Sequence, residues 1–273
     1  STKAIRVCPE DKPFWYTSGT IGPYYINTHF LYGSEEKANE LLKVIDDIKE
    51  NILECPSKVF ELTRKNYDEV AIFKNVIDDM CTLIKQNIDL NEVDCISGGE
   101  RRDWFFSLLI SEMLNMPHIT IYKDLTTVIS ENGHTRMLDD LKGKKVLHIA
   151  DLITEASSYE RAWIPAVKKL GGEIRWSVVV VDRNQGGKEL LAANGIRSFA
   201  MIYTNSELFN RAAEMGLINK RQLEMLLDFI KNPRESMRNF LKKNPTFIED
   251  ALNSDEKTKE RAKLCIEKNF YGL

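Results

Sequence analysis

Val146-Leu147-His148-Ile149-Ala150-Asp151-Leu152-Ile153-Thr154-Glu155-Ala156-Ser157-Ser158 decides the fold. The apolar run predicts a strand over 145–150, the polar turn interrupts it, and the spacing beyond predicts a helix over 159–170. A strand that passes through a hydroxyl-bearing turn into a helix has the outline of a phosphate loop. The first amides of a helix lack intrahelical partners, and the macrodipole favours negative charge beside them. Asp151, at the strand end, can accept hydrogen bonds from sugar hydroxyls. The same residues allow a plainer reading, with Ser157 or Ser158 as an N-cap and Asp151 as a turn residue.

Working outward, strands are expected over 93–97, 118–122, 174–181 and 198–203, and helices over 103–114 and 188–193. Alternating helices and apolar strands imply an α/β fold, a mostly parallel sheet with helices on both faces. Ligands of such sheets bind at the carboxyl ends of the strands. Upstream, Leu41, Leu42, Ile45 and Ile48, then Val70, Phe73, Val76 and Ile77, take helical spacing, with Pro56 dividing two helices. Residues 1–33 are rich in aromatic and turn residues and read as an irregular cap. After Tyr203 the pattern is helical, broken at Gly216 and Pro233. The expected organisation is a domain over 1–205, comprising the N-terminal cap over 1–33 and a helical insertion over 34–90, followed by a helical C-terminal extension over 206–273.

The 273 residues suffice for a full core. Lys and Arg number 38 against 41 Asp and Glu, so the net charge of −3 offers no global attraction for nucleic acid. Any anion site must be local. The five cysteines, Cys8, Cys55, Cys81, Cys95 and Cys265, are scattered and form no CxxC pair, which argues against a zinc site or a disulfide framework. Reduced thiols and a cytoplasmic location are expected. No apolar run approaches the roughly 18 residues of a membrane span, so no membrane partner is expected.

Three further stretches carry chemistry. Ser97-Gly98-Gly99-Glu100-Arg101-Arg102-Asp103 follows a strand and opens a helix. Its glycines let backbone approach an anion, and Arg101 and Arg102 can neutralise one or cap a turn. Gly22-Pro23-Tyr24-Tyr25-Ile26-Asn27 places two rings beside a proline, as a stacking platform or as ordinary packing. Asp182-Arg183-Asn184-Gln185 follows the apolar strand over 174–181, where Arg183 can form a bidentate contact with a carboxylate or a local ion pair. Between Tyr122 and Lys145, the alternation of Thr127, Val128, Ile129 and Ser130 ahead of Asn132-Gly133 suggests a hairpin.

In this order the four segments resemble the type I phosphoribosyltransferases, and specifically the orotate phosphoribosyltransferase family, over most of residues 12–205. The resemblance implies the type I phosphoribosyltransferase fold and transfer of a phosphoribosyl group from 5-phosphoribosyl 1-diphosphate to a pyrimidine base, orotate, with Mg²⁺ held mainly by donor oxygens and water. No dedicated protein metal ligands are expected. It implies that Asp151 contacts the ribose hydroxyls, that Thr154, Glu155, Ala156, Ser157 and Ser158 hold the 5-phosphate, and that Arg101 and Arg102 meet the diphosphate. Tyr24 and Tyr25 would stack the base, and Arg183 would pair with its carboxylate. The stretch after Lys123 corresponds to a mobile flap, implying catalytic roles for Lys123 and His134 across a homodimer. The chain departs from the family at Ala150, where the first of two carboxylates stands, at Ala156, where a glycine stands, and at Thr17, where a lysine stands. These departures motivate an alternative, a regulatory protein that binds nucleotide or the diphosphate donor without turnover.

Overall fold

The computed structural model describes residues 2–272, so the terminal residues of the expected cap and extension lie outside it. By its internal contacts the chain forms two compact units, one of residues 2–4 with Thr28–Tyr203 and one of Ile5–Asn27 with residues 204–272.

The segment Ile5–Asn27 supplies four short strands to the second unit: β1 (Ile5–Val7), β2 (Phe14–Trp15), β3 (Ile21–Gly22) and β4 (Tyr24–Ile26). They pair antiparallel as β1 with β4 and β2 with β3.

The first unit opens with three helices, α1 (Glu35–Ile48), α2 (Cys55–Glu69) and α3 (Ala71–Asn87). Ser34 caps α1 by accepting from the Lys37 amide, and Glu35 and Glu36 in the first turn complement the dipole. In α3, Phe73, Val76, Ile77, Met80, Cys81 and Ile84 are buried, a stripe at steps of three and four. Two helices were expected here. Pro56 lies in the first turn of α2, where its missing N–H costs nothing, and the second break falls at Val70, whose extended backbone (φ −119°, ψ 100°) separates α2 from α3.

Next come β5 (Cys95–Gly99), α4 (Trp104–Met113), β6 (His118–Ile121), β7 (Thr127–Glu131), β8 (His134–Met137), β9 (Lys145–Ile153), α5 (Ile164–Lys169), β10 (Glu173–Asp182), α6 (Gly187–Ala193) and β11 (Arg197–Tyr203). The seven strands form one sheet in the order β11-β10-β9-β5-β6-β7-β8, parallel from β11 to β6 and antiparallel at β7 and β8. Val178, Val179, Val180 and Val181 in β10 are all buried, as a strand covered on both sides requires. The connection through α4 runs from β5 outward to β6, whereas those through α5 and α6 run the opposite way, from β9 to β10 to β11. Right-handed crossovers therefore put α4 on one face and α5 and α6 on the other. The order reverses between β5 and β9, and a crevice opens at the carboxyl ends of those strands.

Residues 204–272 are helical: α7 (Ser206–Glu214), α8 (Lys220–Lys231), α9 (Pro233–Lys243), α10 (Phe247–Leu252) and α11 (Glu256–Glu267). Gly216 takes φ +70° just beyond α7, and Pro233 begins α9, as a proline at a helix start can. Among the described residues no helix is long and apolar enough to cross a membrane.

Candidate active site

The loops that leave β5 and β9 meet at the reversal of strand order and line one cavity of about 380 Å³. From β9 and its loop come Ala150, Asp151, Leu152, Thr154, Glu155, Ala156, Ser157 and Ser158; from the other side come Glu100, Arg101, Arg102, Asp103 and Lys123.

The loop after β9 is held open by its backbone. Ala156 stands at φ +55°, the left-handed conformation that suits glycine. Among the described residues the amides of Glu155, Ser157 and Ser158 donate to no backbone carbonyl, while the Ala156 carbonyl accepts from Tyr159 N–H at 3.0 Å. The residues that carry these amides, and the two exposed hydroxyls of Ser157 and Ser158, line the cavity. A π-helical stretch, Tyr159–Trp163, follows. Pro165 cannot donate to the carbonyl four residues back, and the wider turn, with Ile164 N–H bonded to the Tyr159 carbonyl, accommodates its ring.

The carboxyl end of β5 packs closely against its neighbours because Gly98 and Gly99 carry no side chains. A Cβ on Gly99 would lie 2.2 Å from the Trp163 ring, and one on Gly98 would lie 2.1 Å from Ser107 Oγ. The Glu100–Arg101 peptide is cis. Glu100 accepts from Lys49 Nζ at 3.3 Å and from the Lys123 amide at 3.0 Å, which ties this loop to the start of the hairpin.

Asp151 sits where the loops converge. Thr28 Oγ1 donates to its Oδ2 at 2.7 Å, and its own amide donates to Asp103 Oδ1 at 3.0 Å. Burial, and next the Asp103 charge, raise its carboxyl well above the ordinary carboxylate range; Thr28 and Arg102 pull the other way. Asp103 also accepts from the Gly99 amide at 3.1 Å, and its Oδ2 stands 3.5 Å from His148 Nε2.

The expected site residues are not all brought together. Arg102 is exposed at the cavity wall, and Lys123 is exposed at its edge. Arg101 also lines the cavity, but its guanidinium is engaged by Asp46 and by the Leu42 carbonyl of α1. His134 lies outside it, exposed at the tip of the β7–β8 hairpin and paired in register with Glu131. Of the two readings of the stretch beyond Lys123, the hairpin is the one that forms, because Asn132 (φ 51°) and Gly133 (φ 77°) supply the left-handed turn it needs. Arg183 follows β10, half-buried, with its amide bonded to the Ile153 carbonyl at 2.9 Å. The stacking role expected of Tyr24 is corrected: the residue is 0% exposed, its ring packed 5.5 Å from Phe209 and 5.7 Å from Phe229 in the core of the second unit. Tyr25 is half-buried and meets Phe14 and Tyr16 edge-on. Sequence reasoning missed Thr28 and Trp163, which belong to no local pattern, and gave no role to Asp103, although it closes the stretch over 97–103. Among the described residues no group of three or more His, Cys, Asp or Glu side chains is arranged to hold a metal.

A mostly parallel sheet with two loops meeting at its switch point is the architecture of the type I phosphoribosyltransferase fold. Two solved structures share the fold: orotate phosphoribosyltransferase of Francisella tularensis, with a TM-score of 0.51 at 17% identity, covering 86% of this chain and 94% of that one, and UMP synthase of Leishmania donovani, with a TM-score of 0.56 at 18% identity, covering 84% of this chain and 40% of that one. No family model matches the chain. The orotate phosphoribosyltransferase of Sulfolobus acidocaldarius is 33% identical over 172 residues, 62% of this chain and 82% of the relative. The chain belongs to the orotate phosphoribosyltransferase family and so to the glycosyltransferase enzymes.

Proposed function

We propose that this enzyme transfers the phosphoribosyl group of 5-phosphoribosyl 1-diphosphate to orotate, releasing diphosphate. The observation that supports the reading most is one cavity whose lining gathers Asp151, the hydroxyl-bearing 154–158 loop, Arg102 and Lys123. Asp151 accepts from the ribose hydroxyls, and the 154–158 loop receives the 5-phosphate dianion. Arg102 and Lys123 neutralise the charge that develops on the departing diphosphate, which is where such a reaction gains most from fixed electrostatics. Arg183 takes the carboxylate of the base. Mg²⁺ fits an oxygen-bearing cavity lined by the Asp103 and Asp151 carboxyl groups, which suit a hard cation that keeps most of its water. When bound, it supplies charge neutralisation to the diphosphate, with donor oxygens and water as most of its ligands. A homodimer, with His134 on the hairpin serving the neighbouring subunit, belongs to the same reading. The regulatory alternative has no support among the relatives, which carry the name of an enzyme.

The test follows orotate absorbance with the diphosphate donor and Mg²⁺. Turnover is expected in the wild type and loss of it in Asp151→Asn. In Arg183→Ala the KM for orotate rises about ten- to a hundredfold, the worth of a charge-assisted contact. Unchanged kinetics in that variant would exclude orotate as the base, and absence of any turnover in the wild type would sink the transferase reading.

A further inference from the structure

Of the acids that line the cavity, Asp103 is the one hydrogen-bonded to the backbone of the strand carrying Asp151. Asp103 stands at the entry of α4 and is 7% exposed. Backbone donors from two different strands converge on it, the Asp151 amide on Oδ1 at 3.0 Å and the Gly99 amide on Oδ2 at 3.1 Å. His148 Nε2 stands 3.5 Å from Oδ2, and the other ring nitrogen lies 2.8 Å from Ser97 Oγ, so the carboxylate is backed by buried groups. Only a group with an acceptor at each end satisfies two converging amides; a side-chain amide would turn its own N–H onto one of them.

The donor on Oδ1 is the nitrogen that joins Ala150 to Asp151. Asp103 therefore presents its carboxylate beside position 150, whose own side chain is a methyl group at the cavity wall. Asp151 is braced from its other side by Thr28. Two acids side by side in one wall repel each other, and the repulsion is offset when a ligand donates to both. Carboxylates are pure acceptors, and the matching ligand is a pair of neighbouring hydroxyls.

We propose that Asp103 is the second acid of the ribose site, delivered by the loop after β5 to the place that a carboxylate at position 150 would fill, so that Asp151 and Asp103 together accept the vicinal ribose hydroxyls. The assignment rests on the transferase reading for its ligand. It is tested by binding alone, with calorimetric titration of 5-phosphoribosyl 1-diphosphate and Mg²⁺ into the full chain. Asp103→Asn weakens binding about tenfold or more. Ala150→Asp alone gives no gain, since it adds a third negative charge to the same wall. The double variant Asp103→Asn/Ala150→Asp returns to within a few fold of the wild type, about one hydrogen bond's worth. A merely structural Asp103 would not be rescued from position 150, so an unrescued double variant overturns the assignment, as does wild-type affinity in Asp103→Asn. Should Asp103→Asn not fold, the wild type answers with ribose 5-phosphate against its 2-deoxy and 3-deoxy forms. Weaker binding of both supports the pair of acceptors, and weaker binding of only one, or of neither, overturns it. A chain that binds the donor through Asp103 but transfers nothing to orotate counts against the transferase reading alone. A wild type that binds no donor overturns both.

Discussion

At position 156 a methyl group sits on backbone at φ +55°, and the residue is buried. The left-handed conformation costs an L-residue with a Cβ roughly 1–2 kcal/mol, while burial of one methyl returns about 0.8 kcal/mol. Ala156→Gly should therefore stabilise the protein by about 0.5–1 kcal/mol, read as a rise of a degree or two in Tm, with catalysis intact because the loop keeps its shape. A fall in Tm would show that the methyl contributes more to packing than its backbone costs. The departure at 156 was readable only through the family resemblance, which sets a glycine, the residue suited to left-handed backbone, at this position. Asp103 and Thr28 were not readable. Their hydrogen bonds to Asp151 span 48 and 123 residues, and no local spacing marks a partner so distant.

At the scale of elements, legibility followed whether a break has a chemical marker. The strands and helices from β5 to β11 fall within a few residues of their expected bounds, because each apolar run is closed by a polar or glycine turn. The hairpin is announced by Asn132-Gly133, whose φ values of 51° and 77° suit the twist of paired strands. The joint at Val70 has no such marker. Valine favours extended backbone, and the chain uses that preference to end α2 and start α3 with neither glycine nor proline. The π turn at Tyr159–Trp163 is likewise silent except for Pro165. Arg101 shows how an element can redirect a side chain: α1 supplies Asp46, and the guanidinium expected on a diphosphate spends one of its donors there. In the proposed reaction Arg102 then carries the larger share of the leaving-group charge.

Over the whole molecule, the contacts that join Ile5–Asn27 to the C-terminal helices could not be foreseen. Tyr271 Oη accepts from the Ile21 amide at 2.9 Å, and Arg261 donates to the Trp15 carbonyl at 2.7 Å, both across more than 240 residues of chain. Stability also responds to pH as a property of the entire fold. Burial, then the charges of Arg102 and Arg101, lower the pKa of His29 to about 3; burial, then His148, lower that of His118 to about 3. Both are neutral in the folded chain, while in the unfolded chain both bind protons below about pH 6.5. Stability should accordingly be full above that pH and fall as pH drops toward 3, each group adding a slope of up to about 1.4 kcal/mol per pH unit. Asp151, raised in the fold, works in the opposite sense, favouring the folded state at low pH and losing that contribution as pH rises. Urea midpoints from pH 7.5 to 4.5 check the balance, and His118→Gln should flatten the acid limb; an unchanged limb would remove His118 from the account. Finally, Trp163 packs against Gly99 and lines the cavity, stacked 6.1 Å from the His148 ring. Of the chain's four tryptophans it alone borders the cavity among the described residues, so the protein carries a built-in fluorophore for occupancy. Filling the cavity should shift its emission, Trp163→Phe should silence the change, and stopped-flow fluorescence would then time arrival and departure of substrate with no label attached.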